Sequence, residues 1–271
     1  YPDLIGSASS FNPGPEFYVG EKGRRSLWRP KDHVGNHTRT MVRLIRASGD
    51  YISQYHEELR EAYARADDVA FEYRQDEYHR HWATSIGETF DFHRRAFANS
   101  SLDNVPETWN YDSGHNAFEV WNYRVEAQGK EPGLICLEDV TQNGLRITTR
   151  RWAPDGSPLY AQAIKLTTAP LYQPSTTYQL FDYDLSTGVI TKTETRSDPA
   201  GRITVRVNGA GHHLSFVGAG TGGQPPVLLP LTAKDKLRLP PEHDLLLPVR
   251  IYNPRGTTME NVRVKLTSEY P

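Results

Sequence analysis

Asp50, His79 and His81 are the residues of this chain best suited to acid–base chemistry. A carboxylate can hold an imidazole in one tautomer while the imidazole takes up and returns a proton, which is two-thirds of a nucleophilic catalytic triad. Both parts follow strand-like runs. Asp50 closes Ser48-Gly49-Asp50 after the β-branched run at 41–47, and the histidines come just after Val69-Ala70-Phe71-Glu72-Tyr73. His79 and His81, with Asp76, also raise a metal-hydrolase reading. With no cysteine and no ligand at a fixed spacing beside them, that pattern is a weak one.

The elements around these residues are legible. Residues 51–66 carry Ile52, Tyr55, Leu59, Ala62, Tyr63 and Ala66 at helical spacing, with Glu57, Glu58, Arg60, Glu61 and Arg65 on the other face. A second helix is expected from Thr84, capped by Thr84 or Ser85, with Ile86, Phe90, His93 and Phe97 on one stripe. Strand, helix, strand predicts a right-handed crossover and parallel pairing, and ligands gather at the carboxyl ends of such strands. Asp50 and the histidines then share one edge. A helix starting near Thr84 leaves His81 in the loop just ahead, which favours it as the base; His79 is the alternative.

The opening Tyr1-Pro2-Asp3-Leu4-Ile5-Gly6-Ser7-Ala8-Ser9-Ser10-Phe11-Asn12 resembles the stretch after the nucleophile helix in the putative-esterase branch of the α/β-hydrolases. Ser48-Gly49-Asp50 is similar to that family's acid loop, and residues 79–93 to its histidine loop and last helix. The resemblance spans residues 1–99. It implies ester hydrolysis through an acyl-enzyme, a small-molecule or glycan ester as substrate, no cofactor, and a secreted or periplasmic location. Two departures stand out. Tyr78-His79-Arg80-His81-Trp82 offers two histidines where the family has one, and no G-x-S-x-G elbow occurs anywhere in the chain. The resemblance therefore implies a nucleophile on an upstream segment or a companion chain.

Composition narrows the alternatives. Among 271 residues, 37% are hydrophobic and 24% charged, as in an ordinary globular protein, and the length allows two domains. A net charge of −2 gives nucleic acid no electrostatic purchase. No apolar run reaches the roughly 20 residues that span a bilayer. The lone Cys136, in Gly133-Leu134-Ile135-Cys136-Leu137, is expected to be a buried small hydrophobe. Asn36-His37-Thr38 and Asn99-Ser100-Ser101 fit the glycosylation pattern. The irregular stretch before Met41, bracketed by Asn12-Pro13-Gly14-Pro15 and Trp28-Arg29-Pro30, reads equally as a lid over the active-site edge or a solvated insertion.

Past residue 99 the helical period vanishes. The expected organisation is the C-terminal part of an α/β-hydrolase domain at 1–99, a linker at 100–116 and an antiparallel, immunoglobulin-like β-sandwich at 117–271. Strand runs are read at 117–125, 145–152, 161–168, 176–183, 189–196, 203–207, 213–217, 246–252 and 262–266, with turns at Asp155-Gly156 and Thr187-Gly188. Gly218-Ala219-Gly220-Thr221-Gly222-Gly223 runs into Gln224-Pro225-Pro226, so no helix starts there to hold a phosphate and the segment reads as a loop. Trp109, Tyr111, Trp121, Tyr123, Trp152, Tyr160, Tyr172, Tyr178 and Tyr183 read mainly as core packing, with a sugar-stacking face as the other use. The rival to the esterase is thus a non-catalytic glycan- or protein-binding sandwich on a degenerate hydrolase scaffold.

Overall fold

A computed structural model describes residues 2–11, 16–19, 26–47, 53–66, 69–76, 86–99, 104–129, 133–151, 156–218, 227–230 and 249–252. The chain is β-rich, and most of its sheet is antiparallel.

The first part begins with β1 (Ser7–Phe11), the hairpin of β2 (Phe17–Val19) and β3 (Ser26–Trp28), and a kinked 3-10 segment over Pro30–His37. Then come β4 (Met41–Ala47), α1 (Ser53–Ala64), β5 (Phe71–Asp76) and α2 (Ile86–Phe97). Strands β1, β4 and β5 pair in parallel in that order, as the strand–helix–strand pattern requires. Because side chains alternate along β4, its two faces take different partners. Val42 and Leu44 pack on Leu59 and Tyr63 of α1, while Arg43 reaches Glu88 of α2. The helices therefore cover opposite faces of the sheet.

Both helices differ in detail from the sequence pattern. In α1 the inward residues are His56, Leu59 and Tyr63, and Tyr55 is exposed. In α2 the buried residues are Phe92 and Ala96; Phe90 is 70% exposed and Phe97 81%. Charge explains the rotation. Arg43 on β4 is 3% exposed and needs a carboxylate, and Glu88 supplies it at 2.9 Å. With Glu88 reaching Arg43 from the sheet side of the helix, Phe92 and Ala96 follow at steps of four, and the 86/90/97 stripe faces out.

The second part is a sandwich. One antiparallel sheet has six strands in the order β13-β12-β15-β10-β9-β6, the other four in the order β14-β11-β8-β7. In chain order these are β6 (Trp109–Ser113), β7 (Ala117–Val120), β8 (Tyr123–Gln128), β9 (Leu134–Thr141), β10 (Gly144–Arg150), β11 (Ala163–Thr167), β12 (Thr177–Asp184), β13 (Ile190–Arg196), β14 (Thr204–Asn208) and β15 (His212–Gly218). Among the described residues, their inner faces share one core cluster of 21 buried residues, against five for the cluster under α1. At about 1.5–3 kcal/mol for each fully buried large apolar side chain, the sandwich holds the larger apolar core among the described residues.

Two sequence expectations change here. The stretch 100–116 is more than a linker, since β6 lies inside it and pairs with β9. The run at 117–125 is two strands, turned at Trp121 and Asn122 with φ of 42° and 64°. β17 (Val249–Tyr252) pairs with β16 (Val227–Pro230), and the strand read at 262–266 lies outside the described residues. Asp155, Trp152 and residues 219–223 lie outside them too.

Candidate functional site

β1, β4 and β5 end at Phe11, Ala47 and Asp76, with Phe11 in register with Ile45 and Ala47 with Asp76. All three carboxyl ends thus open onto one edge, with neighbouring strands about 4.8 Å apart. Asp50 is three residues beyond Ala47, and His79 and His81 are three and five beyond Asp76. These three residues, and the side chain of Asp76, lie outside the described residues.

What leads into and out of that edge is well held. On the α1 face, Glu57 accepts hydrogen bonds from Arg60 Nε at 2.7 Å and the Tyr73 hydroxyl at 3.2 Å, and it pairs with Arg46 near the end of β4. The Arg60 hydrogen bond, followed by those of its other donors, holds the Glu57 carboxyl below its usual range. On the α2 face, Glu88 in the first turn pairs with Arg43 and Arg74. One carboxylate cluster thus pins the start of α1, the element after Asp50, and the other pins the start of α2, the element after the histidines.

Ser7 Oγ lies 2.8 Å from His93 Nδ1, which invites comparison with a nucleophile–base pair. Position argues against it. Ser7 opens β1, four residues from its carboxyl end, so about 13 Å separates it from the edge that carries the acid and histidine segments. The pair instead docks α2 on β1.

Two Asp–His pairs come together from segments with no spacing that links them. His212 Nδ1 lies 2.7 Å from Asp182 Oδ1, and its Nε2 lies 3.1 Å from Asn208 Oδ1. Both ring nitrogens are committed, so His212 is a strut. His33 donates from Nδ1 to Asp112 Oδ1 at 2.7 Å, joining the 3-10 segment to β6. Asn36 completes the joint: its Nδ2 donates to Asp112 Oδ1 at 3.0 Å and to the Asp112 carbonyl at 2.9 Å, and its Oδ1 accepts the Asp112 N–H at 2.8 Å. His33 is 5% exposed and stacked 3.7 Å from Trp28, so it is closed to a substrate. Next to it, His37 Nδ1 lies 2.6 Å from the Tyr63 hydroxyl. Burial chiefly lowers the His37 pKa to about 4, with the Asp112 charge pulling the other way, and burial raises that of Tyr63. Asp3 extends the seam by accepting the Trp121 N–H at 2.9 Å.

No group of three or more metal-binding side chains occurs among the described residues. Cys136 is buried in β9, where burial pushes its thiol pKa up, as a small hydrophobe rather than a nucleophile. No helix among the described residues is long and apolar enough to cross a membrane.

The sandwich has a pocket of about 830 Å³ where the ends of β8 and β10 meet the segment leading into β11. Gln128, Arg151, Tyr160 and Gln162 line it. Of these only Tyr160 stood out in the sequence, as one aromatic in a long set. The two glutamines and the arginine come from three separate segments and share no spacing that could have revealed them.

Compared with protein-family models, with curated proteins and with solved structures, the chain matches none.

Proposed function

We propose that this chain is the acid–base part of a serine ester hydrolase. Asp50 fixes the tautomer of His81, with His79 as the alternative base. The nucleophilic serine comes from a segment outside this sequence or from a companion chain. The imidazole takes the serine proton as Oγ attacks the ester carbonyl, and returns it to the departing alcohol; water then releases the acid by the same route. The observation that carries this reading is the sheet: three parallel strands in chain order, helices on both faces, and the segments bearing Asp50 and the histidines leaving adjacent strands at one edge. The ion pairs of Glu57 and Glu88 support it by anchoring the helices that follow each segment.

The test is complementation. The chain is mixed with polypeptides carrying a G-x-S-x-G elbow that co-purify with it, and p-nitrophenyl and feruloyl ester turnover is measured. Turnover that falls roughly 10³–10⁴-fold with Asp50→Asn and with His81→Ala supports the assignment, and loss with His79→Ala instead moves the base to His79. Turnover that survives all three changes sinks it. No turnover with any companion leaves the sandwich as the functional part, in a non-catalytic binding protein.

A further inference from the structure

Among the aromatic residues of the sandwich, Trp109, Tyr111, Trp121, Tyr123, Tyr178 and Tyr183 are buried, whereas Tyr160 is 59% exposed. Tyr160 lines the pocket beside β8 and β10. We propose that this pocket binds a saccharide: the Tyr160 ring packs on the C–H face of a sugar, and Gln128, Arg151 and Gln162 hydrogen-bond its hydroxyls.

The pocket is built rather than incidental. Leu159 and Gln162 are buried, and the turn that carries them is tied down from several sides. Thr149 Oγ1 donates to the carbonyls of Leu159 at 3.1 Å and Gly209 at 2.8 Å, and Arg151 N–H donates to the Ser157 carbonyl at 3.1 Å. The turn sits so close to its neighbours that Gly209 admits no side chain and one at Gly129 would displace Gln162. A Cβ on Gly209 would lie 1.8 Å from the Leu159 carbonyl oxygen, and one on Gly129 would lie 2.7 Å from Gln162 Cγ. A volume of about 830 Å³ falls in the range of small-ligand sites, which run to roughly 300–1,000 Å³.

The chemistry of the lining selects the ligand class. One exposed ring gives an apolar platform, and two primary amides with one guanidinium give donors and acceptors without a strong net charge. A polyhydroxylated, largely uncharged ring uses all of these at once. A peptide fits less well, because β8 is paired on both sides by β7 and β11, and β10 by β9 and β15. Among the described residues no free strand edge is on offer there for strand addition. The site is independent of the hydrolase reading and survives if that reading fails.

The experiment uses the full chain and a panel of cello-, xylo-, manno- and chito-oligosaccharides, screened by NMR line broadening and titrated by calorimetry. Binding that weakens roughly ten-fold in Tyr160→Ala, and is kept in Tyr160→Phe, is the expected result. Gln128→Ala, at an exposed position, is expected to weaken it several-fold without touching the core. The proposal is overturned if no saccharide binds at 10 mM (about the weak limit for a real site), if both alanine variants bind like the parent, or if the pocket takes peptides in preference to sugars.

Discussion

Removing the Asp112 carboxylate should uncouple the two parts of the chain. Asp112→Ala takes away the acceptor of His33 Nδ1 and one of the two acceptors of Asn36 Nδ2, while both backbone links to Asn36 remain. A buried ring N–H left without a partner costs about 1–3 kcal/mol, and the Asn36 bond, partly replaced by the carbonyl, about 0.5–1.5 kcal/mol. The expected loss is about 2–4 kcal/mol. For chains of this size, roughly 2–4 °C per kcal/mol converts that into a fall of about 10 °C in the melting transition that includes the joint. The α/β part, whose described cluster under α1 is smaller than the sandwich core, should then melt ahead of the sandwich. Differential scanning calorimetry of the parent, Asp112→Ala, Asn36→Ala and the double variant measures this directly. Because both residues belong to one network, the double variant should lose at least 0.5 kcal/mol less than the sum of the singles. A loss below about 0.5 kcal/mol for Asp112→Ala, or strict additivity, refutes the joint as described.

Glu88→Ala leaves Arg43, 3% exposed, without this carboxylate; because Glu88 is itself half exposed, a loss of about 1–2 kcal/mol is expected in urea melts, at the low end for breaking a buried pair. His37 has a folded pKa of about 4 against 6.5 unfolded, so the unfolded chain binds the extra proton. Stability should therefore be full above pH 6.5 and fall as the pH drops towards 4, by at most about 3 kcal/mol, and His37→Gln should flatten the slope of melting temperature against pH. Asn122, at φ 64°, should accept glycine with a gain of up to about 1 kcal/mol and lose about 1–2 kcal/mol as valine, read from thermal melts.

How far these features were legible depended on how local their causes are. Strands β10 to β15 showed themselves because each alternates or carries a β-branched run between turn residues. At Thr187-Gly188 the turn was visible outright: Gly188 takes φ 71°, and Asp184 accepts the N–H groups of Ser186 and Thr187. β9 escaped because Leu134-Ile135-Cys136-Leu137 is buried on both faces and so does not alternate. β6 escaped for a different reason. Its inward positions are Trp109, Tyr111 and Ser113, and a serine facing the core breaks the apolar pattern next to a stretch that reads as linker. The Trp121 turn was hidden because tryptophan seldom adopts positive φ; ring burial and the Asp3 carboxylate, 118 positions earlier, hold it there. The rotation of α2 was invisible for the same non-local reason, since Glu88 answers a charge on β4. At the candidate site, the parallel edge followed from the strand–helix–strand order. The His33–Asp112 joint, 79 positions apart, and the four side chains of the sandwich pocket could not, because only the folded chain brings them together.

Asn36 has a consequence beyond stability. It opens the tripeptide Asn36-His37-Thr38, and its Nδ2 is the atom a glycosyltransferase would modify. In the folded chain that nitrogen is spent on Asp112, and Thr38 is buried with its hydroxyl donated to the Gly35 carbonyl at 3.0 Å. Asp112 lies 76 residues further along, so a ribosome exposes the tripeptide before it has made the residue that will occupy it. In a lumen equipped for N-glycosylation, attachment and folding would therefore race, and a sugar that arrived first would bar the two parts from closing on each other. Intact mass across hosts with and without that machinery would record which event wins.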